Sequence, residues 1–229
     1  MICVRPAAIL FDMDGLLLDT ERLIRDAMIA VMADLGFVMT GTDYAALIGR
    51  PEPASQAIMQ ARFGAGLDYT AVRDGVGRRM TADWGPQRPL KTGAAALIAQ
   101  LDAANIPRAL VTSTDGAAAR TYLRRAGLLD GFATIISGDD VTNGKPHPEP
   151  YLLAANRLGI APASALALED SHNGIIAAHA AGVPVIMVPD LLPATPEITP
   201  LLLAVADDLH QVGIWLAAAA SHNQVRSAG

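Results

Sequence analysis

Four short stretches, Ala8–Phe11, Arg108–Thr112, Ala165–Leu168 and Val183–Val188, hold apolar runs that do not alternate and are bounded by charged residues, hydroxyls, glycine or proline. A strand with one wet face alternates apolar and polar residues, whereas a parallel strand buried on both faces does not. Helical segments lie between the runs. Gly93–Ala104 is rich in Ala and Leu, and Ala117–Ala126 follows an Asp115-Gly116 turn. Pro148–Leu158 opens on Pro and Glu and stops before Gly159, and Asn173–Ala181 is closed by Gly182 and Pro184. Proline just inside a helix start and glycine just past its end are the expected punctuation. Strand and helix in alternation imply βαβ units with right-handed crossovers, an α/β fold built on a Rossmann-like parallel sheet.

One stretch breaks the alternation. From Glu21 to about Arg88 there are helical patterns and no buried strand: Leu23, Ala27, Val31 and Leu35 at helical spacing, then Ala54–Arg62 and Val72–Trp84. This predicts a helical insert over 21–86, entered after the first strand, with 1–20 and 87–229 forming the sheet domain and the chain returning near Pro86–Pro89. The polar residues from Ser221 to Gly229 read as a frayed tail.

Composition narrows the function. The 229 residues are 52% hydrophobic, enough for a sizeable core. A net charge of −6 with scattered basic residues argues against nucleic-acid binding. No apolar stretch reaches the roughly 20 residues of a membrane span, and the apolar start is cut by Asp12 and Asp14 too early for a signal peptide. A single cysteine, Cys3, leaves no intrachain disulfide. A cytoplasmic protein, a monomer or a weak dimer, is the expectation.

The residues that carry chemistry stand where strands run out. Phe11-Asp12-Met13-Asp14-Gly15 places two carboxylates at the carboxyl end of the first strand, the edge where open parallel sheets bind ligands. Packing alone gives no reason to put acids there, because each costs desolvation unless neutralised; an ordinary Asx turn is the bland alternative. Leu168-Glu169-Asp170-Ser171 repeats the pattern at a later strand. Acids converging on one edge would concentrate negative charge that a hard divalent cation relieves, and Mg²⁺ suits a few carboxylates plus waters and a substrate phosphate; adjacent acids complementing a helix N-terminus are the bland alternative. Lys145, in Gly144-Lys145-Pro146-His147-Pro148, could balance that charge and hold a phosphoryl oxygen, or be a solvated loop lysine. Val111-Thr112-Ser113-Thr114-Asp115 ends a strand in hydroxyls and backbone N–H groups that suit an oxyanion, although helix capping explains them equally well.

In this order the four segments resemble the haloacid dehalogenase-like hydrolase superfamily, whose signature is Asp-x-Asp-x-Thr/Val, then Thr/Ser, Lys and an acidic pair. The resemblance covers nearly the whole chain. Phe11–Glu21 and Gly144–Pro150 are most similar to the branch of β-phosphoglucomutase and small sugar-phosphate phosphatases. Leu16 departs from the usual Thr or Val at a position that mainly packs. The resemblance implies that Asp12 is a nucleophile and Asp14 a general acid and base. It implies that Asp12, Asp170 and the Asp14 carbonyl hold Mg²⁺, with Glu169 bound directly or through water. Thr112 and the Ser113 N–H would bind phosphoryl oxygens, and Lys145 would orient Asp12. The insert would be a cap, with Arg50 of Ile48-Gly49-Arg50-Pro51 either reaching a distal anionic group or a plain surface arginine, and with Glu21 read as a capping or solvated residue ahead of a substrate contact. The acid at position 14 separates this chain from true dehalogenases and phosphonatases.

Three functions remain to be weighed: a Mg²⁺-dependent phosphatase of a small phosphorylated metabolite (a sugar or nucleoside monophosphate), a phosphosugar mutase, and a non-catalytic metabolite-binding module. The mutases carry a cap histidine shortly after an Asp-Thr pair. After Asp19-Thr20 this chain has Ile24 at the matching place, which favours hydrolysis. No acid or lysine of the signature is missing, which disfavours the binding module. The other conspicuous residues read as structure. His172 and His179 mark a helix face, Trp84 and Trp215 are packing anchors, and Asp207-Asp208 starts the last helix.

Overall fold

The computed structural model describes residues 5–50, 52–83 and 90–227. Six parallel strands form one sheet, β1 (Ala8–Phe11), β2 (Arg108–Val111), β3 (Thr134–Ile136), β4 (Ala165–Glu169), β5 (Val185–Met187) and β6 (Ala204–Val205), in the order β3-β2-β1-β4-β5-β6. The first strand therefore lies centrally between β2 and β4, with Phe11 in register with both Leu110 and Leu168. Every residue of β1, β2 and β4 is buried, as unalternated apolar runs require.

Successive strand residues face opposite layers. Ile9 and Phe11 pack with Leu110, Leu166 and Leu168 beneath α5 (Ala94–Ala103), α6 (Gly116–Arg125) and α9 (Leu209–Ser227). Leu10, Ala109, Val111 and Ala167 pack on the other face against α7 (Glu149–Arg157) and α8 (His172–Ala180). Leu16 is fully buried in the first of these clusters, and Trp215 packs against it. The helices between β1 and α5 are α1 (Glu21–Asp34), α2 (Gly41–Ala45), α3 (Glu52–Phe63) and α4 (Tyr69–Asp83). They enclose a separate apolar cluster containing Met32, Met39, Met59 and Met80. Unbranched Met side chains fill the irregular gaps between short helices. Helix α1 lies tightly on α4, where a Cβ at Gly75 would press into Val31.

The two chain crossings between sheet and insert run side by side. Leu18 bridges Leu90, the Lys91 N–H donates to the Leu17 carbonyl at 3.0 Å, and Lys91 Nζ pairs with buried Asp190 at 2.8 Å. Among the described residues no helix is long and apolar enough to cross a membrane.

The structure departs from the sequence expectation in four places. Strands β3 and β6 and helix α2 were not anticipated, being only three, two and five residues long, too short for a periodic signal. Helix α9 runs on to Ser227, where a frayed tail was expected. The run Ala217–Ala220 is a strong helix former, and each added residue gains a backbone bond once a helix is nucleated. Asp208 accepts from the Gln211 N–H at the start of α9, as expected. Cys3, Pro51, Trp84 and the return near Pro86–Pro89 lie outside the described residues.

Candidate active site

The sheet order brings the strand-end residues together. Asp12 follows β1, Thr112 follows β2, and Glu169 ends β4 with Asp170 just after it, at the ends of three adjacent strands. Lys145, on the loop before α7, is buried among them. Its ammonium donates to Asp12 Oδ1 at 2.6 Å, to the Val111 carbonyl at 2.8 Å and to Glu169 Oε1 at 2.5 Å. Those are all the donors an ammonium has. Burial works against the charge on Lys145, but the attraction of Asp12 and then Glu169 outweighs it and raises its pKa.

Glu169 is fully engaged. Its Oε1 also accepts from the Tyr151 hydroxyl at 2.5 Å, and its Oε2 accepts from the backbone N–H and the hydroxyl of Ser171. Helix α8 begins immediately behind it, and a side chain at Gly174 would collide with the Glu169 carboxylate.

Asp12, Glu169 and Asp170 each present a carboxylate oxygen, all within 4.8 Å of one another. Asp170 Oδ1 is buried with no hydrogen-bond partner among the described residues, a costly arrangement for an anion unless a cation is bound. Burial, more than any neighbour, raises the pKa of both Asp12 and Asp170; Lys145 opposes this for each without cancelling it. Three buried carboxylates face one buried ammonium, so the edge carries excess negative charge. An all-oxygen, anionic donor set of this kind fits a hard divalent cation such as Mg²⁺. Gly15 makes the approach possible: its φ is +83° and a Cβ there would strike Asp170 Oδ2.

Asp14 is partly exposed and points elsewhere. Thr20 donates to its Oδ1 at 2.6 Å and Thr114 to its Oδ2 at 2.7 Å. Thr20 occupies the N-cap position of α1 yet makes no side-chain capping bond; its hydroxyl serves Asp14 instead. Thr112 Oγ1 accepts from the Thr114 N–H at 3.1 Å, tying the loop after β2 into a turn, and Asp115 caps α6.

These groups open onto a cleft of about 910 Å³ between the sheet edge and the insert. Asp12, Asp14, Thr112, Ser113, Lys145 and Asp170 line one wall. Glu21, Ile24, Tyr44, Arg50 and Arg73 line the other. The Asn173 amide donates to the Gly49 carbonyl at 2.7 Å, joining the loop that carries Arg50 to the sheet domain.

Comparison with known proteins agrees with this geometry. Residues 9–188 match the family model described as haloacid dehalogenase-like hydrolase. The phosphorylated carbohydrates phosphatase of Thermotoga maritima is 32% identical over 77% of this chain and 82% of its own length. The phosphoglycolate phosphatase of Xanthomonas campestris is 30% identical over 78% and 81%. The crystal structure of CbbY from Rhodobacter sphaeroides in complex with xylulose-(1,5)bisphosphate superposes with a TM-score of 0.78 at 30% identity, covering 91% of this chain and 96% of that one. The chain belongs to the haloacid dehalogenase-like hydrolases.

Within this hydrolase the expected acids, Thr112 and Lys145 converge, and Ser113 and Arg50 line the cleft they share. Arg50 is exposed and its Nε donates to the Ala46 carbonyl at 2.7 Å. His172 and His179 stay out of the acidic group: His172 contacts the Pro193 carbonyl and His179 is exposed. In the sequence Thr20, Tyr151 and Ser171 carry no signal of their own, and Thr114 stands out only as part of an oxyanion turn or a cap. Their roles appear only when their partners are in place.

Glu21 supplies a test of the cleft's polarity. Tyr44 donates to its Oε2 at 2.5 Å, but burial, with Asp14 and Asp190 nearby, pushes its pKa up to about 7. A carboxyl whose folded pKa is raised favours the folded state below its ordinary pKa and loses that advantage as pH rises through the raised value. Metal-free Glu21→Gln should match the wild type near pH 4 and exceed its unfolding free energy by about 1–2 kcal/mol near pH 8, after discounting for partial exposure. Urea unfolding at both pH values measures this, and a difference that is the same at both would contradict it.

Proposed function

We propose that this hydrolase is a Mg²⁺-dependent phosphatase cleaving a small phosphorylated metabolite, a sugar or nucleoside monophosphate, through an aspartyl phosphate on Asp12. The observation that carries the reading is the buried Asp12–Lys145–Glu169 chain beside the unpartnered Asp170 oxygen at the base of the cleft.

Asp12, Asp170 and the Asp14 carbonyl would hold the cation, with Glu169 behind them. Bound there, Mg²⁺ supplies positive charge that offsets repulsion between an anionic nucleophile and an anionic ester. Thr112 and the Ser113 N–H bind phosphoryl oxygens. A carboxylate oxygen of Asp12 attacks phosphorus as the ester P–O bond breaks, and Asp14 gives its proton to the leaving alkoxide. Asp14 then takes a proton from water, which attacks phosphorus and releases Asp12 and inorganic phosphate. Lys145 has no donor to spare for the ester, so its part is to neutralise and aim Asp12. The Thr20 and Thr114 hydroxyls hold the Asp14 carboxyl in place between the two proton transfers.

Residues 21–86 act as the cap over the domain formed by 1–20 and 87–229, limiting water and offering Arg50 to a distal anionic group of the substrate. The phosphatase names of the relatives support hydrolysis. So does Ile24, an apolar side chain on the cleft wall where a mutase would place histidine.

The test is release of inorganic phosphate from p-nitrophenyl phosphate and from a panel of phosphorylated metabolites. Activity should require Mg²⁺, disappear with EDTA and return when Mg²⁺ is restored. Absence of phosphate release across the panel would refute the proposal, and interconversion of hexose phosphates without release would turn it into a mutase.

A further inference from the structure

We infer that Tyr151 is a positioning residue for this reaction, its hydroxyl holding Glu169 so that Glu169 in turn keeps Lys145 against Asp12. The inference rests on the phosphatase reading and deepens it. Tyr151 is fully buried in the first turns of α7, six residues beyond Lys145, and its hydroxyl reaches across to Glu169 Oε1 at the end of β4. Lys145 Nζ donates to that same oxygen and stands 5.4 Å from the centre of the Tyr151 ring. One oxygen thus gathers the tyrosine and the lysine, while Ser171 occupies the other.

All four hydrogen bonds accepted by Glu169 come from the protein. A direct bond from Glu169 to a cation would compete with one of them, whereas Asp170 has an oxygen to offer. The geometry therefore makes Glu169 the counter-ion of Lys145 and Tyr151 the group that fixes its rotamer. Without the hydroxyl, Oε1 keeps only the lysine, the carboxylate gains freedom to turn, and the ammonium follows it away from Asp12. Partners placed one shell behind reacting groups commonly affect activity by about 10- to 100-fold.

The chain has only two lysines, Lys91 and Lys145, so ¹⁵N-lysine labelling gives two side-chain signals with little ambiguity. Metal-free Tyr151→Phe should shift or broaden the Lys145 ammonium signal and leave that of Lys91, paired with Asp190, unchanged. Turnover of p-nitrophenyl phosphate should fall about tenfold, with KM and the calorimetric Kd for Mg²⁺ within about twofold of wild type. An unmoved Lys145 signal would overturn the inference, as would a Mg²⁺ affinity that falls as far as turnover, since Tyr151 would then act through the metal. Should Tyr151→Phe fail to fold, Ser171→Ala removes a hydrogen bond from the other oxygen of Glu169 and must move the Lys145 signal alone. A wild-type protein that releases no phosphate would refute the phosphatase reading, while the lysine signals would still decide whether Tyr151 fixes Lys145.

Discussion

Asp12→Asn should lower turnover by a factor on the order of 10⁴ or more and leave the metal-free protein at least as stable as wild type. Loss of a nucleophile and loss of a structural side chain are easily confused, and here the electrostatics separate them. Asp12 is buried beside Glu169 and Asp170 with a single ammonium among the three, and burial disfavours its charged form. Asparagine keeps the shape and can still accept the Lys145 hydrogen bond, but removes one unit of the excess negative charge. The amide oxygen is also a far poorer nucleophile than a carboxylate. Kinetics with p-nitrophenyl phosphate and thermal unfolding in EDTA should move apart, activity collapsing while the melting temperature holds or rises. Mg²⁺ should bind more weakly, because one of the carboxylates proposed to hold it is gone. Retained turnover would remove Asp12 from the chemistry altogether.

Lys145→Met should do the opposite to stability. Methionine fills most of the same volume without charge, leaving Asp12 and Glu169 without their shared cation. Removing one partner from a buried ion pair typically costs about 3–5 kcal/mol, and Lys145 is almost wholly enclosed. The loss should depend on pH in a defined direction. Asp12 and Asp170 already bind protons more readily in the folded protein than ordinary carboxylates do. Such groups favour the folded state at low pH and penalise it as pH rises through their raised pKa values. The deficit of Lys145→Met relative to wild type should therefore be larger near pH 8 than near pH 5, and Mg²⁺ should recover part of it. Denaturant unfolding at both pH values, with and without metal, gives the comparison. A deficit independent of pH would mean that packing, rather than charge, is what Lys145 contributes.

Local patterns made the scaffold legible. β1, β2, β4 and β5 stood out because strands buried on both faces are apolar along most of their length, and the acids where β1 and β4 run out stood out because nothing apolar explains them. The helical insert was legible from what it lacked, a buried strand. Tyr151 shows where such reading stops. In the sequence it is an aromatic residue in a helix's first turns, suited to a core, and burial there was foreseeable. The destination of its hydroxyl depends on β4 lying beside β1, a fact of sheet order rather than of neighbouring residues. Thr20 and Ser171 are obscured differently, since both stand where hydroxyls cap helices. Ser171 does cap α8 while also serving Glu169; Thr20 forgoes capping for Asp14. A residue type with two common uses cannot be assigned until its partner is seen.

The sheet order also bears on how the chain is made. Asp12 emerges early, but the strand that carries Asp170 to its side is the fourth in the sequence and inserts on the far side of β1 from β2. Contacts so distant along the chain form late. A polypeptide abandoned by a stalled ribosome before residue 165 would carry Asp12 and Asp14 with no fourth strand to bring Glu169 and Asp170 to their side, so the acidic edge exists only in nearly finished copies.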